Sequence, residues 1–193
     1  MNPVLPMLID TDMGVDDAAA VVLALQSPLL KIEAIVATGG NVSLDQAEVN
    51  VGRLLRGVAP PRWPPIGRGL DQQRDGIERA HHVHGDDGLG GANLPPAESL
   101  SVEPFLDIYR RAIAAAGGKL HVVAIGPLTT LAAALREADV ASGIAHIHVM
   151  GGAVWSPGNV TPHAEFNFHR DPQAAADTLA AGRPITVTPL DVT

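Results

Sequence analysis

The chain contains no cysteine. That excludes disulfides, a thiol nucleophile and thiolate metal sites, and it suits a reducing compartment. Aromatic residues make up only 3% of the 193 positions, whereas 46% are hydrophobic. Alanine, valine and leucine dominate instead, as expected where helices pack on a parallel sheet. Basic residues are also scarce: 13 Lys and Arg stand against 21 Asp and Glu, for a formal net charge of −8. Such a balance argues against a nucleic-acid backbone or an anionic membrane as partner and leaves a small neutral or cationic ligand. No apolar run approaches the length of a membrane span. The N-terminus lacks a basic region followed by a long apolar stretch, so no signal peptide is read and a cytoplasmic location is expected. A P-loop, a GxSxG elbow and a dinucleotide fingerprint are all missing. The length suits a single domain, residues 1–193, with a sizeable core.

One further absence is local. No Lys or Arg precedes Lys31, yet Asp10, Asp12, Asp16 and Asp17 fall within eight positions. Carboxylates crowded this closely repel, and one or more pKa values should rise unless a cation is present. Oxygen donors without cysteine or an adjacent histidine point to a hard ion such as Ca²⁺ or Mg²⁺. Leu5 to Ile9 reads as a buried strand, after which Asp10 and Asp12, two apart, project to the same side. Gly14 permits a tight turn. Ala18 to Leu25 reads as a buried helix ending before Pro28, which puts Asp16 and Asp17 at its N-terminus. Either one alone is explained as a helix cap. The four together are better explained as a metal and catalytic centre.

Apolar β-rich segments alternate with helical ones along the rest of the chain. Strands are expected at 32–37, 120–125, 144–150 and 185–187. Helices are expected at 44–58, 128–137 and 172–181, the last with Asp171 as N-cap and Pro172 in its first turn. This alternation calls for an α/β fold, a mostly parallel open sheet with helices on both faces and right-handed crossovers. Residues 59–99 break the rhythm with many prolines and glycines; a long irregular stretch of this kind is more often functional than idle. Polar or glycine-rich residues follow nearly every expected strand: Asp10 and Asp12, then Thr38-Gly39-Gly40-Asn41, Gly126-Pro127-Leu128-Thr129 and Met150-Gly151-Gly152. Each is separately explicable as turn chemistry. Open parallel sheets bind ligands beyond the carboxyl ends of their strands, so a common pocket is the better account.

The segment Asp10-Thr11-Asp12-Met13-Gly14-Val15-Asp16-Asp17-Ala18 resembles the N-terminal signature of the inosine/uridine-preferring nucleoside hydrolases, usually DTDPGxDDA. Met13 stands where that family has Pro. Gly40 to Leu44, His84-Gly85, Gly126 to Thr129, Met150 to Gly152, and Gly158 to Asn167 followed by Asp171-Pro172 are similar to family segments in the same order. The resemblance implies a Ca²⁺ site from Asp10, Asp12, Asp17 and the Thr129 backbone carbonyl. It implies Asp12 as general base, with Asn41 and His84 as further catalytic residues, His84 near the nucleobase and ribose. Asp16, Asn41, Met150, Asn159, Glu165 and Asn167 are implied to bind ribose. A homodimer or homotetramer acting on a small ribonucleoside follows from the same likeness.

The chemistry calls for such residues. N-glycosidic cleavage passes through an oxocarbenium-like sugar. A cation lowers the pKa of water, a carboxylate takes its proton, and acceptors at the 2′- and 3′-hydroxyls favour the positive sugar. Family members are longer, and their C-terminal portion supplies a leaving-group histidine and another calcium-binding aspartate. This chain is expected to lack that portion, and Asp191 is given no role. His81, His82 and His163 have no counterpart and read as solvated or loop-packing, with a zinc site from His81, His82 and His84 as the lesser alternative. Two other readings stay open: a relative that binds calcium or ribose without turnover, and a haloacid-dehalogenase-like phosphatase. The latter also opens with Asp-x-Asp after a strand, but fits the Glu165 and Asn167 segment poorly.

Overall fold

A computed structural model describes residues 4–72, 78–97 and 100–193. Along its first strand, β1 (Leu5–Thr11), side chains alternate between two cores: Met7 and Ile9 join one, Leu8 the other. A strand buried on both faces needs helices on both, and the chain supplies them. The remaining strands are β2 (Leu30–Ala37), β3 (Ile66–Arg68), β4 (Val102–Pro104), β5 (Leu120–Ala124), β6 (Ile144–Met150) and β7 (Ile185–Thr188). Their order is β4-β3-β2-β1-β5-β6-β7, and every neighbouring pair is parallel. The α/β expectation therefore holds, with a sheet that is parallel throughout the described residues.

Helices α1 (Val15–Gln26) and α2 (Leu44–Val58) bury Val21, Leu44, Ala47, Val51, Leu54 and Leu55 against Met7, Ile9 and Ile35. On the opposite face α4 (Phe105–Ala115), α5 (Thr129–Leu135), α6 (Ala138–Gly143) and α8 (Pro172–Leu179) pack on Leu8, Val36, Leu120, Val122 and Ile147. The two short helices α3 (His81–His84) and α7 (Phe166–Arg170) lie outside this layering. Among the described residues no helix is long and apolar enough to cross a membrane.

The expected elements recur with small differences. The strand read over 5–9 runs on to Thr11, so Asp10 is inside the strand and Asp12 just beyond it. The helix read over 128–137 stops at Leu135 because the chain turns before α6. The irregular stretch contains a three-residue strand, β3, and α3; residues 73–77 and 98–99 of it lie outside the described residues. Strands β4 and β3 were not legible, being three residues each.

The chain builds β1 to β4 outward in one direction, then β5 to β7 outward in the other. The crevice at such a reversal, beyond the carboxyl ends of β1 and β5, is where open α/β sheets place their ligands. Asp12 and Gly126 stand there. A Cβ on Gly126 would come within 2.9 Å of the Asp12 nitrogen, so the two turns touch.

Candidate active site

The turn after β1 is held by its own side chains. Thr11 Oγ1 donates to Asp17 Oδ1 (2.9 Å) and accepts from Met13 N–H (3.0 Å). Gly14 N–H donates to Asp17 Oδ2 at 2.8 Å, which is the reciprocal bond of a helix N-terminus with Asp17 three residues in. Capping and site-building thus use the same carboxylate. Met13 is fully buried with φ 49°, the left-handed region. Proline could neither reach that angle nor donate the N–H to Thr11, so this turn differs from one built on the family's usual residue.

The loop after β2 closes over the acids. Asn41 N–H donates to Asp12 Oδ2 at 2.6 Å, and Asn41 Nδ2 lies 3.4 Å from Asp17 Oδ2. Gly40 allows this approach, because a Cβ there would stand 2.0 Å from Asp12 Oδ2. Asp10 turns the other way, accepting from Tyr109 Oη at 3.3 Å. All three acids are almost fully buried, Asp10 1%, Asp12 0% and Asp17 3% exposed. Burial pushes the Asp10 carboxyl up to about 8, eased only by Tyr109. Burial first and Asp17 next hold Asp12 well above the usual carboxylate range. Asp17 is raised to about 6 by burial and then by Asp16. Tyr109 is itself raised by burial and by Asp10.

These groups fit a hard cation in one respect and fall short in another. Asp10 Oδ1 and Asp12 Oδ1 are buried with no hydrogen-bond donor, and an all-oxygen donor set with raised pKa values calls for positive charge. Yet among the described residues no three histidine, aspartate or glutamate side chains converge as a formed metal site. The same holds of His81, His82 and His84, the lesser zinc alternative. Thr129 opens α5, and its hydroxyl donates to Asp171 Oδ2 at 2.7 Å. Sequence reasoning found no nearby cation; the fold brings one from far along the chain. Arg170, 2% exposed, is pushed below its ordinary value by burial first and Arg79 next, with Asp71 and Asp12 opposing the shift.

Beside Asn41 opens a cavity of about 1020 Å³. Asp16, Asn41, His84, Met150, Asn159, Glu165 and Asn167 all line it, whereas Asp10, Asp12 and Asp17 do not, Asp12 and Asp17 meeting it through their contacts with Asn41. His82, expected to be solvated or loop-packing, is exposed and borders it too, as do Phe166 and His169. His84 Nδ1 accepts from Val15 N–H at 3.2 Å. The neutral ring then carries its proton on Nε2 and offers a donor.

Several of these residues hold the wall as well as line it. Glu165 takes N–H bonds from Gly152 (2.8 Å), Asn167 (2.8 Å) and Phe168 (3.1 Å), capping α7 and tying it to the end of β6. Asn167 Nδ2 donates to the carbonyls of Ile125 and Met150, each at 3.1 Å. Asn159 Oδ1 accepts from Phe166 N–H at 2.9 Å. Asp191 accepts from the N–H groups of Val154, Trp155 and Ser156. His163 is exposed and stands away from the lining.

The profile of the family described as inosine-uridine preferring nucleoside hydrolase matches residues 7–193. Uridine nucleosidase 1 of Arabidopsis thaliana is 37% identical over 193 residues, covering 97% of this chain and 56% of that protein. Pyrimidine-specific ribonucleoside hydrolase RihA of Salmonella schwarzengrund is 37% identical, with coverages of 98% and 61%. The solved structure of a purine-preferring ribonucleoside hydrolase from Gardnerella vaginalis superposes with a TM-score of 0.89 at 33% identity, covering 97% of this chain and 61% of that one. The chain thus spans about three fifths of the length of these relatives.

Proposed function

The chain belongs to the inosine-uridine preferring nucleoside hydrolase family, and from that membership and the build of its cavity we propose that it cleaves the N-glycosidic bond of ribonucleosides to ribose and free base. The observation that carries the reading is the cluster of buried carboxylates, Asp10 and Asp12 each with one oxygen that has no donor, joined through Asn41 to a cavity lined by asparagine, carboxylate and histidine side chains. The family is metal-dependent, and we assign Ca²⁺ to this chain, held by Asp10, Asp12, Asp17 and the Thr129 carbonyl. When bound, the ion supplies the charge that keeps these carboxylates ionised and makes water more acidic.

The side chains do the rest. Asp12 removes the proton from the attacking water, with its Oδ2 already steadied by Asn41 N–H. Asp16, Asn41, Asn159, Glu165 and Asn167, with Met150 behind them, receive the ribose. Three backbone N–H groups hold Glu165 rigid, so it needs no reorganisation as positive charge grows on the sugar. His84 presents Nε2–H to an acceptor on the base. A neutral nucleoside suits a chain of net charge −8.

The test is ribose release from inosine, uridine and cytidine by the purified chain, with Ca²⁺ and with chelator. Calcium-dependent ribose is the expected result. Calcium binding with no ribose from any nucleoside would refute turnover and favour the binding-only reading. Phosphate release from phosphate esters would instead reinstate the phosphatase.

A further inference from the structure

The loop that carries Asn41 is fixed by residues that do not line the cavity. Asp71 follows β3, and its Oδ2 accepts from Leu44 N–H (3.2 Å) at the start of α2 and from Arg79 Nη2 (2.7 Å). Arg79 in turn donates to the carbonyls of Gly40, at 3.5 Å, and of Val42, the two residues flanking Asn41. Gly39 lets the carboxylate in, since a Cβ there would stand 2.1 Å from Asp71 Cγ. From the other side Arg170 Nη2 comes within 3.8 Å of Asp71 Oδ1. One guanidinium therefore spans two carbonyls and a carboxylate, a task for a planar fork and not for an ammonium.

The consequence reaches two parts of the site. Asn41 N–H is held on Asp12 Oδ2 only while the loop keeps its shape. Arg79 also lies two residues before the His81–His84 turn, whose His82, Val83 and His84 form one cavity wall. We propose that Arg79, oriented by Asp71, is a positioning residue for the glycosidic cleavage: it keeps Asn41 on Asp12 and docks the histidine wall onto the same loop. This rests on the hydrolase reading of the site. Glu78 and Ala80, on either side of Arg79, line the cavity whereas Arg79 does not, so its action runs through its neighbours and not through contact with substrate.

The experiment compares Arg79→Ala, Arg79→Lys and Asp71→Asn with the intact chain by amide hydrogen exchange at Asn41 and by steady-state ribose release. Arg79→Ala should speed exchange at Asn41 at least tenfold and lower kcat at least tenfold. Arg79→Lys should recover only part of either. Millimolar guanidinium should restore part of kcat to Arg79→Ala and nothing to Arg79→Lys, which a general loss of structure would not produce. Unchanged exchange at Asn41, or a rise in KM with kcat intact, overturns the proposal. Should Arg79→Ala not fold, Asp71→Asn, which keeps every carbon, decides by the same two readouts. If the intact chain releases no ribose, the hydrolase reading fails, while exchange at Asn41 still decides whether Arg79 holds the loop.

Discussion

Replacing Glu165 by Gln separates its role in the wall from its role toward ribose. The carboxylate accepts from Asn167 N–H on one oxygen and from Gly152 and Phe168 N–H on the other, and it is 2% exposed. A glutamine amide keeps one acceptor oxygen and sets an NH₂ group against the donors left over. If the oxygen faces Gly152 and Phe168, one charge-assisted bond is lost and the buried Asn167 N–H is left facing a donor. A bond to a charged group is worth about 1.5–3 kcal/mol, and an unpaired buried donor costs about 1–3 kcal/mol. Both figures describe the same lost contact, so the expected destabilisation is about 2–3 kcal/mol, which for a chain of this size lowers Tm by roughly 4–12 °C. Thermal and urea unfolding at neutral pH measure it. Ribose release, assayed where both proteins are fully folded, should still fall, since the amide carries no negative charge for the developing cation. A Tm unchanged within a degree or so would refute the capping argument and leave Glu165 with the substrate role alone.

Four other substitutions and ligands follow from the same geometry. Asp12→Ala should abolish ribose release and weaken calcium binding; turnover at the original rate would remove Asp12 from the mechanism. Gly40→Ala puts a Cβ 2.0 Å from Asp12 Oδ2 and 2.7 Å from Pro127 Cδ, so it should cost about 1–3 kcal/mol of stability by overpacking and most of the activity; a neutral effect on both would show that the loop moves freely. Met13→Pro, towards the family's usual residue, cannot take φ 49° or bond Thr11 and should destabilise by more than about 1 kcal/mol, read from urea midpoints. Calcium at a hundredfold excess over its Kd should add about 2.7 kcal/mol, and a melting curve indifferent to chelator would count against the assigned site.

The α/β architecture was legible because long elements carry long patterns. The apolar alternation of α2 gave its limits, Leu44 and Val58, without error, and β6 likewise. Strands β3 and β4 have three residues each, too few for any periodicity to declare itself. The site divides in the same way. Local spacing marked Asp10, Asp12, Asp16 and Asp17 together, whose crowding is visible within eight positions, and only the family resemblance set Asp10, Asp12 and Asp17 apart as ligands. Asp71, Arg79 and Arg170 were invisible because each matters through a partner elsewhere in the chain: Arg79 through carbonyls some 37–39 residues away, Arg170 through Asp71 and Asp12. A carbonyl acceptor has no signature in sequence. His82 is exposed, as a solvated or loop-packing reading has it, but that it borders the cavity depends on which wall its turn forms, and local sequence does not carry this.

The buried acids set function against stability, and the conflict has a measurable sign. Asp10 ionises near its ordinary 3.8 when unfolded but at about 8 when folded, so the native state holds the proton more tightly. A carboxyl raised in this way favours folding at low pH, and the advantage is lost as pH climbs from about 4 through 8. Between pH 5 and pH 7.5 this one group should cost the cation-free chain about 3 kcal/mol, with the raised Asp12 and Asp17 acting in the same direction. Melting curves in chelator should therefore fall by roughly 6–12 °C over that interval. Calcium should flatten the slope, because an ion held among ionised carboxylates competes with their protons and favours the higher pH. A cation-free chain equally stable at both pH values would mean that Asp10 is ionised when folded. Its counter-charge would then have to come from within the chain, and the argument for a bound ion at these carboxylates would lose its electrostatic ground.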